Sequence, residues 1–262
     1  MKKFLSNINR FFYILWAVII ALALIFAVRQ HFYTGRQYRL TDDTKISYYS
    51  DDYSQPPIAF DENAGKYVEN KKLDPAGGFD AERLFGDSDL VVKVTATNDR
   101  KLKFDSFLTR VTVEHVYKGD KSLLKRDIYV YEWATAFMYN HMNKCDGEFI
   151  YESRDAYNVM CENEQYYLFL SRYKMPEGYR YDETEQRTFL LTNVHYGKYN
   201  VETCRELHVL PKVNFYWDSE LTYKDIKYFD IMTTKQAALD DYMARREKAV
   251  KMLEEIGAAD RT

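Results

Sequence analysis

The sequence predicts a mainly β domain with flanking helices, an α+β fold, carried behind an N-terminal transmembrane helix. Three observations predict it. Residues Phe11 to Val28, FFYILWAVIIALALIFAV, run for 18 residues without a charge, a glycine or a proline. From Asp89 onward, apolar residues recur at every second position in several short runs, which is the period of strands. From Thr233 onward they recur at three- and four-residue spacing, the period of an amphipathic helix. Tyrosine, present 24 times, agrees with the second observation, because aromatic rings suit a pleated surface.

Bulk composition narrows the function classes. Hydrophobic residues make up 46% of the chain, enough to bury a core and to exclude wholesale disorder. A net charge of −3 with mixed signs offers no basic surface to the phosphates of a nucleic acid, so no such partner is expected.

At a rise of about 1.5 Å per residue the apolar run is about 27 Å long, close to the hydrocarbon thickness of a bilayer. Residues 1–10 form a short basic tail with Lys2, Lys3 and Arg10, and Arg29 ends the run. A cleaved signal peptide is the rival reading. Its best cut would follow Ala21-Leu22-Ala23, a triplet that lies inside the run and not after it. We read residues 11–28 as a single-pass anchor, with the membrane as partner through Phe11 to Val28. Arg36 and Arg39 nearly balance the basic tail. The dense basic decapeptide and the usual export of a long C-terminal domain favour a cell-membrane protein whose domain is extracytoplasmic.

Residues 29–78 read as a polar tether that partly drapes over the domain. They contain TDDTK, SDDYSQPP and DENAGKY, with Pro56-Pro57 and Gly77-Gly78 as breakers. The acidic run from Asp61 lacks the spacing of a calcium loop, with Lys72 where the closing glutamate belongs.

The β-domain spans residues 79–232. Phe79 to Phe85 suggests helical turns, and Asp89 to Thr97 a strand closed by a turn at NDRK. Phe107 to Tyr117 alternates until His115 and Val116, where the faces exchange as a β-bulge would make them. Lys118-Gly119-Asp120 resembles an adhesive tripeptide, but a turn explains it fully. Strands follow at Arg126 to Trp133, Glu164 to Lys174 and Arg187 to Val194, with a further candidate at Glu206 to Leu210. Between the first two lies an irregular insert with a hairpin inside it.

Residues 233–257 form the C-terminal helix, packed on the domain. Thr233 and Gln236 suit a capping box and Gly257 a stop. Leu239, Tyr242, Met243, Val250, Leu253 and Ile256 make its apolar stripe, and Asp241–Arg245 and Glu247–Lys251 are i,i+4 pairs. The stripe packs on the sheet or, through Leu239, Tyr242 and Met243, takes a protein partner.

Chemistry-bearing patterns are scarce. Cys145, Cys161 and Cys204 are an odd set, and a Cys145–Cys161 disulfide would clip the insert. His141-x3-Cys145 and Cys204-x3-His208 carry ligand types that zinc accepts, but 58 residues and several strands separate the pairs, so no metal is expected. Nucleophile elbows and glycine-rich phosphate loops are absent from the sequence, and it implies neither an enzyme nor a cofactor. Tyr129, Tyr131 and Trp133 alternate on one strand face, opposite Ile128 and Val130. They are either core rings, or rings under the helix, or a ligand platform.

Ser88, Asp89, Val91, Val92 and Val94, then Val113, Val116, Lys118, Gly119 and Asp120, then Tyr167, Leu168, Phe169 and Leu170 form a recognisable series. It resembles the OB-fold modules related to tissue inhibitors of metalloproteinases and netrin domains, as found in exported bacterial proteins. The likeness covers about 85 residues, Asp87 to Ser171. It implies an OB-like β-barrel and makes Tyr129, Tyr131 and Trp133 the ligand candidates, since OB strands often stack rings on sugars or bases. Lys93 stands where the family usually has a small glycine. The mature N-terminal cysteine through which the eukaryotic inhibitors reach a protease metal has no counterpart here, so inhibition is not implied. The expectation is a non-catalytic binding or interaction module with a protein or glycan partner. An envelope-associated enzyme or metal-dependent accessory, and a structural subunit of a membrane complex, are the alternatives.

Overall fold

The computed structural model describes residues 12–25, 37–48, 58–61, 66–69, 80–103, 106–138, 149–153, 156–174, 178–202, 207–211 and 220–259. The fold is mixed α+β and mostly strands. Residues 12–25 form helix α1, and every one of its side chains is exposed. Among the described residues no helix is long and apolar enough to cross a membrane.

The central sheet comprises β4 (Leu90–Lys103), β5 (Ser106–Lys118), β6 (Asp127–Glu132), β9 (Gln165–Arg172), β10 (Thr188–Leu191) and β11 (Lys198–Asn200). Its order is β10-β6-β5-β4-β9-β11, and β10 also pairs with β9, so the succession of neighbours returns to its first strand. β10 runs parallel to β6, while the other pairings are antiparallel. Alternation builds the interior: Val92 and Val94, Val111 and Val113, Ile128 and Val130, Leu168 and Leu170 meet with Phe189 in one buried cluster.

The register of β5 explains its sequence. Lys93 pairs with His115 and Val94 with Val113, so Glu114 is the extra residue, and Val113 and Val116 both reach the core. This is the expected bulge. The expected turn at NDRK is not there. β4 continues to Lys103, absorbing those polar residues in a register shift between Ala96 and Arg100 that turns Arg100 inward. Lys118-Gly119-Asp120 is a turn: Gly119 has φ +99°, and the Asp120 side chain accepts from Ser122 N–H at 2.9 Å, capping a 3-10 turn at Lys121–Leu123.

A second cluster packs on the outside of the sheet. Helix α2 (Ala81–Asp87) contributes Leu84, and helix α5 (Gln236–Ala259) contributes Leu239, Tyr242 and Leu253 over Val91, Tyr167 and Phe169. A third cluster joins the sheet to a small one of order β1-β8-β7, formed by β1 (Lys45–Tyr48), β7 (Ala134–Met138) and β8 (Phe149–Ser153). β7 and β8 are the hairpin expected in the insert. β1 comes from the stretch read as tether. Its sparse apolar residues hid it, yet Leu40 and Ile46 are buried and β1 lies parallel to β8. β2 (Ile58–Asp61) and β3 (Lys66–Glu69) pair with each other. Short helices α3 (Glu183–Gln186) and α4 (Tyr223–Ile226) complete the set.

Two sequence expectations fail near the C-terminus. Residues 207–211 form no strand, although Leu210 N–H donates to Thr233 O at 2.8 Å. The strand there is β11, three residues too short to show a period. Helix α5 starts at Gln236, whose amide bonds Asp240, and Thr233 Oγ1 accepts from Lys235 N–H, so the capping box does not form. Gly257 does not stop the helix. It is buried inside it, and an added Cβ would lie 3.3 Å from the Tyr117 ring, so the glycine permits close packing.

Candidate functional site

At the β5-start, β6-end corner of the sheet lies a cavity of about 510 Å3, lined by Ser106, Tyr131, Glu132, Trp133, Tyr173, Leu190, Leu191 and Val194. Topology assembles it. The parallel register sets Leu190 against Tyr131, and the β10–β9 register sets Leu190 against Ser171, bringing Tyr173 alongside. The Tyr131 and Tyr173 rings stand 5.5 Å apart. Trp133 and Leu190 remain 40% and 38% exposed, so the cavity has an apolar mouth. Burial, then the neighbouring Tyr173 and Glu185, push the Tyr131 phenol far above its usual pKa, and it stays a neutral ring at any physiological pH.

Within the lining, the Glu132 carboxylate is fully committed. One carboxylate oxygen accepts from Thr109 Oγ1 and faces Arg100 Nε at 3.4 Å. The other accepts from Tyr157 O–H at 2.9 Å and Met160 N–H at 2.7 Å. Arg100 donates to Thr109 Oγ1 at 3.0 Å and Met160 O at 2.6 Å. Tyr151 donates to Asn158 Oδ1, and Asn158 Nδ2 donates to Ile226 O and Phe229 O, which pins α4 to the same network. The ensemble is a neutralised, hydrogen-bonded interior. Burial, then the charge of Glu132, raise the Tyr157 phenol well above its usual pKa, so it remains a donor.

Of the three ring candidates, Tyr131 and Trp133 line the cavity and Tyr129 does not. Tyr129 shares their face but sits further back, between Arg110 of β5 and Thr188 of β10. Tyr173, Leu190, Leu191 and Val194 were not legible as site residues. Nothing local marks them, because only the distant β6–β10 pairing gathers them.

Leu239 and Tyr242 are buried, and Tyr242 donates to Asp230 Oδ2 at 2.8 Å, while Met243 packs against the same cluster. The helix turns most of this face onto its own domain, with Met243 half-buried at its edge. Cys161 is a buried free thiol, its pKa raised chiefly by desolvation, and Cys145, its expected disulfide partner, lies outside the described residues. Of the possible zinc ligands, His141, Cys145 and Cys204 also lie outside them. His208 packs edge-on to Phe229 at 5.0 Å, and no metal-ligating group of three occurs among the described residues.

A second, polar cleft of about 620 Å3 lies between the outer sheet face and the end of α5, lined by Lys93, Glu114, His115 and Glu254 among others. Its charges are of both signs.

Comparison with protein-family models, with curated proteins and with solved structures finds no match for this chain.

Proposed function

We propose that this is a single-pass membrane protein displaying an OB-like, non-catalytic binding module, whose ligand is held at the cavity of Tyr131, Trp133 and Tyr173. The observation that carries the reading is that cavity: aromatic, apolar, open to solvent, and backed by a charge pair with no spare valence for catalysis. Such a lining suits capture by ring and alkyl contact.

The circuit of pairings, with β10 parallel to β6, supports the OB-like barrel, because that fold closes its third strand on its fifth in parallel. For the anchor, the support is helix α1. Its large apolar side chains, Tyr13 at 76% and Trp16 at 61% exposure among them, are open to solvent, and surface of this kind calls for a lipid or protein cover. Residues 11–28 then hold the module at the membrane, with the domain on the extracytoplasmic side.

Two measurements test the reading. The full-length chain should stay with membranes through an alkaline wash and be released when residues 1–28 are deleted; a full-length chain found in the supernatant refutes the anchor. Partners crosslinked in native membranes should be lost on Trp133→Ala with Tyr131→Ala, while the melting temperature changes little. Unchanged capture removes the cavity as the site.

A further inference from the structure

We infer that the cavity takes the uncharged hydrocarbon tail of an amphiphile and leaves its polar head in water; this rests on the binding-module reading above and names the ligand class of that same site. Three features of the lining select the tail. First, among the described lining residues no group supplies a free charge. Glu132 is the acid at the wall, and Arg100 faces it at 3.4 Å, so the pair presents neither sign to a ligand. A carboxylate, phosphate or amine entering here would lose its hydration without a counter-charge, which is prohibitive.

Second, hydrogen-bonding capacity is too small for a sugar. Both Glu132 oxygens are occupied, by Thr109 and Arg100 on one side and by Tyr157 and Met160 N–H on the other. Each sugar hydroxyl buried without a partner costs about 1–3 kcal/mol. Ser106, two phenols and the Trp133 indole N–H are too few, among the described lining side chains, to serve a ring that carries several hydroxyls.

Third, the cavity has a floor and a mouth. Leu191 and Val194 give an apolar wall, while Trp133 and Leu190 are each about two-fifths exposed at the entrance. A volume of about 510 Å3 lies within the range of small-ligand sites. A molecule with one apolar end matches this gradient, and each methylene it buries contributes about 0.8 kcal/mol.

The test uses the full-length chain in phosphatidylcholine nanodiscs, with Trp16→Phe and Trp217→Phe so that Trp133 is the one tryptophan of the chain. The probe is 8-bromo-octan-1-ol, whose heavy atom quenches indole fluorescence on contact. Saturable quenching is expected, weakened at least tenfold by Leu190→Glu, which sets a charge at the mouth. Leu190→Gln, a neutral replacement on the same exposed position, should fall between the two, and circular dichroism should be the same for all. Quenching that rises linearly without saturating, identical in wild type and Leu190→Glu, overturns the inference. If a soluble chito-oligosaccharide then shifts Trp133 emission, the cavity is still a binding site but for a sugar. If neither probe acts and Trp133→Ala still captures partners, the binding-module reading falls with it.

Discussion

Arg100 Nε lies 3.4 Å from a Glu132 carboxylate oxygen, with 2% of one side chain and none of the other exposed to solvent. The two residues stand on β4 and β6, on opposite flanks of β5, and Thr109 of β5 bridges them. A buried pair of this kind adds little net stability, but breaking it strands a charge. Glu132→Gln should therefore cost about 3–5 kcal/mol, measured by urea unfolding. Arg100→Met combined with Glu132→Gln should cost less than the sum of the two single changes. Additive effects would show that the two groups do not act as a pair.

Asp127 makes the fold acid-sensitive. Partial burial pushes its carboxyl up, but hydrogen bonds from Thr112 and Arg110, at 2.8 Å each, outweigh this and hold its pKa below the usual value. The folded pKa is thus lower than the unfolded one of about 3.9. As pH falls the unfolded chain binds the proton first, so the contribution is complete above about pH 4 and fades below it. The group is partly exposed, so the effect should stay under about 1 kcal/mol. Asp127→Asn should flatten that part of a stability–pH curve between pH 5 and 2; an unchanged slope would assign the acid sensitivity to other groups.

Gly119 is fixed by geometry. At φ +99° an L side chain is strained, and an added Cβ would stand 2.7 Å from the Asp89 carbonyl oxygen. Gly119→Ala should destabilise by about 1–3 kcal/mol. Lys118→Ala, next to it, tests a different contact, since Lys118 Nζ donates to Phe85 O and Gly86 O at 2.8 Å each. If the tripeptide were instead a recognition tag, Gly119→Ala would leave thermal melting untouched.

Strands and turns with a strong local signal were legible in the sequence. Val91, Val92 and Val94 and the unbroken apolar run Tyr167 to Leu170 are all buried, as such apolar runs suggest, and the exchange of faces at His115 and Val116 marked the bulge. Features set by distant partners were hidden. Asn98 to Arg100 reads as a turn because Glu132, the group that makes an inward Arg100 tolerable, is 32 positions away. β1 has few apolar residues, Ile46 being the buried one among its described side chains, and its pairing with β8 leaves no local trace. The amphipathic stripe of α5 was visible, but its destination was not. The stripe alone does not say whether Tyr242 meets Asp230 of its own chain or a partner. The same holds for the cavity: Tyr131 and Trp133 announce themselves by alternation, whereas Tyr173 and Leu190 join them only through β10.

The central claim, that the module grips its ligand at the mouth of this cavity, is tested most directly by placing a photo-crosslinking amino acid at Trp133 of the full-length chain and irradiating native membranes. A discrete adduct from that position, absent when the crosslinker replaces the exposed Lys248 on α5, is the predicted result. The same adducts from both positions, or none from Trp133, would contradict it.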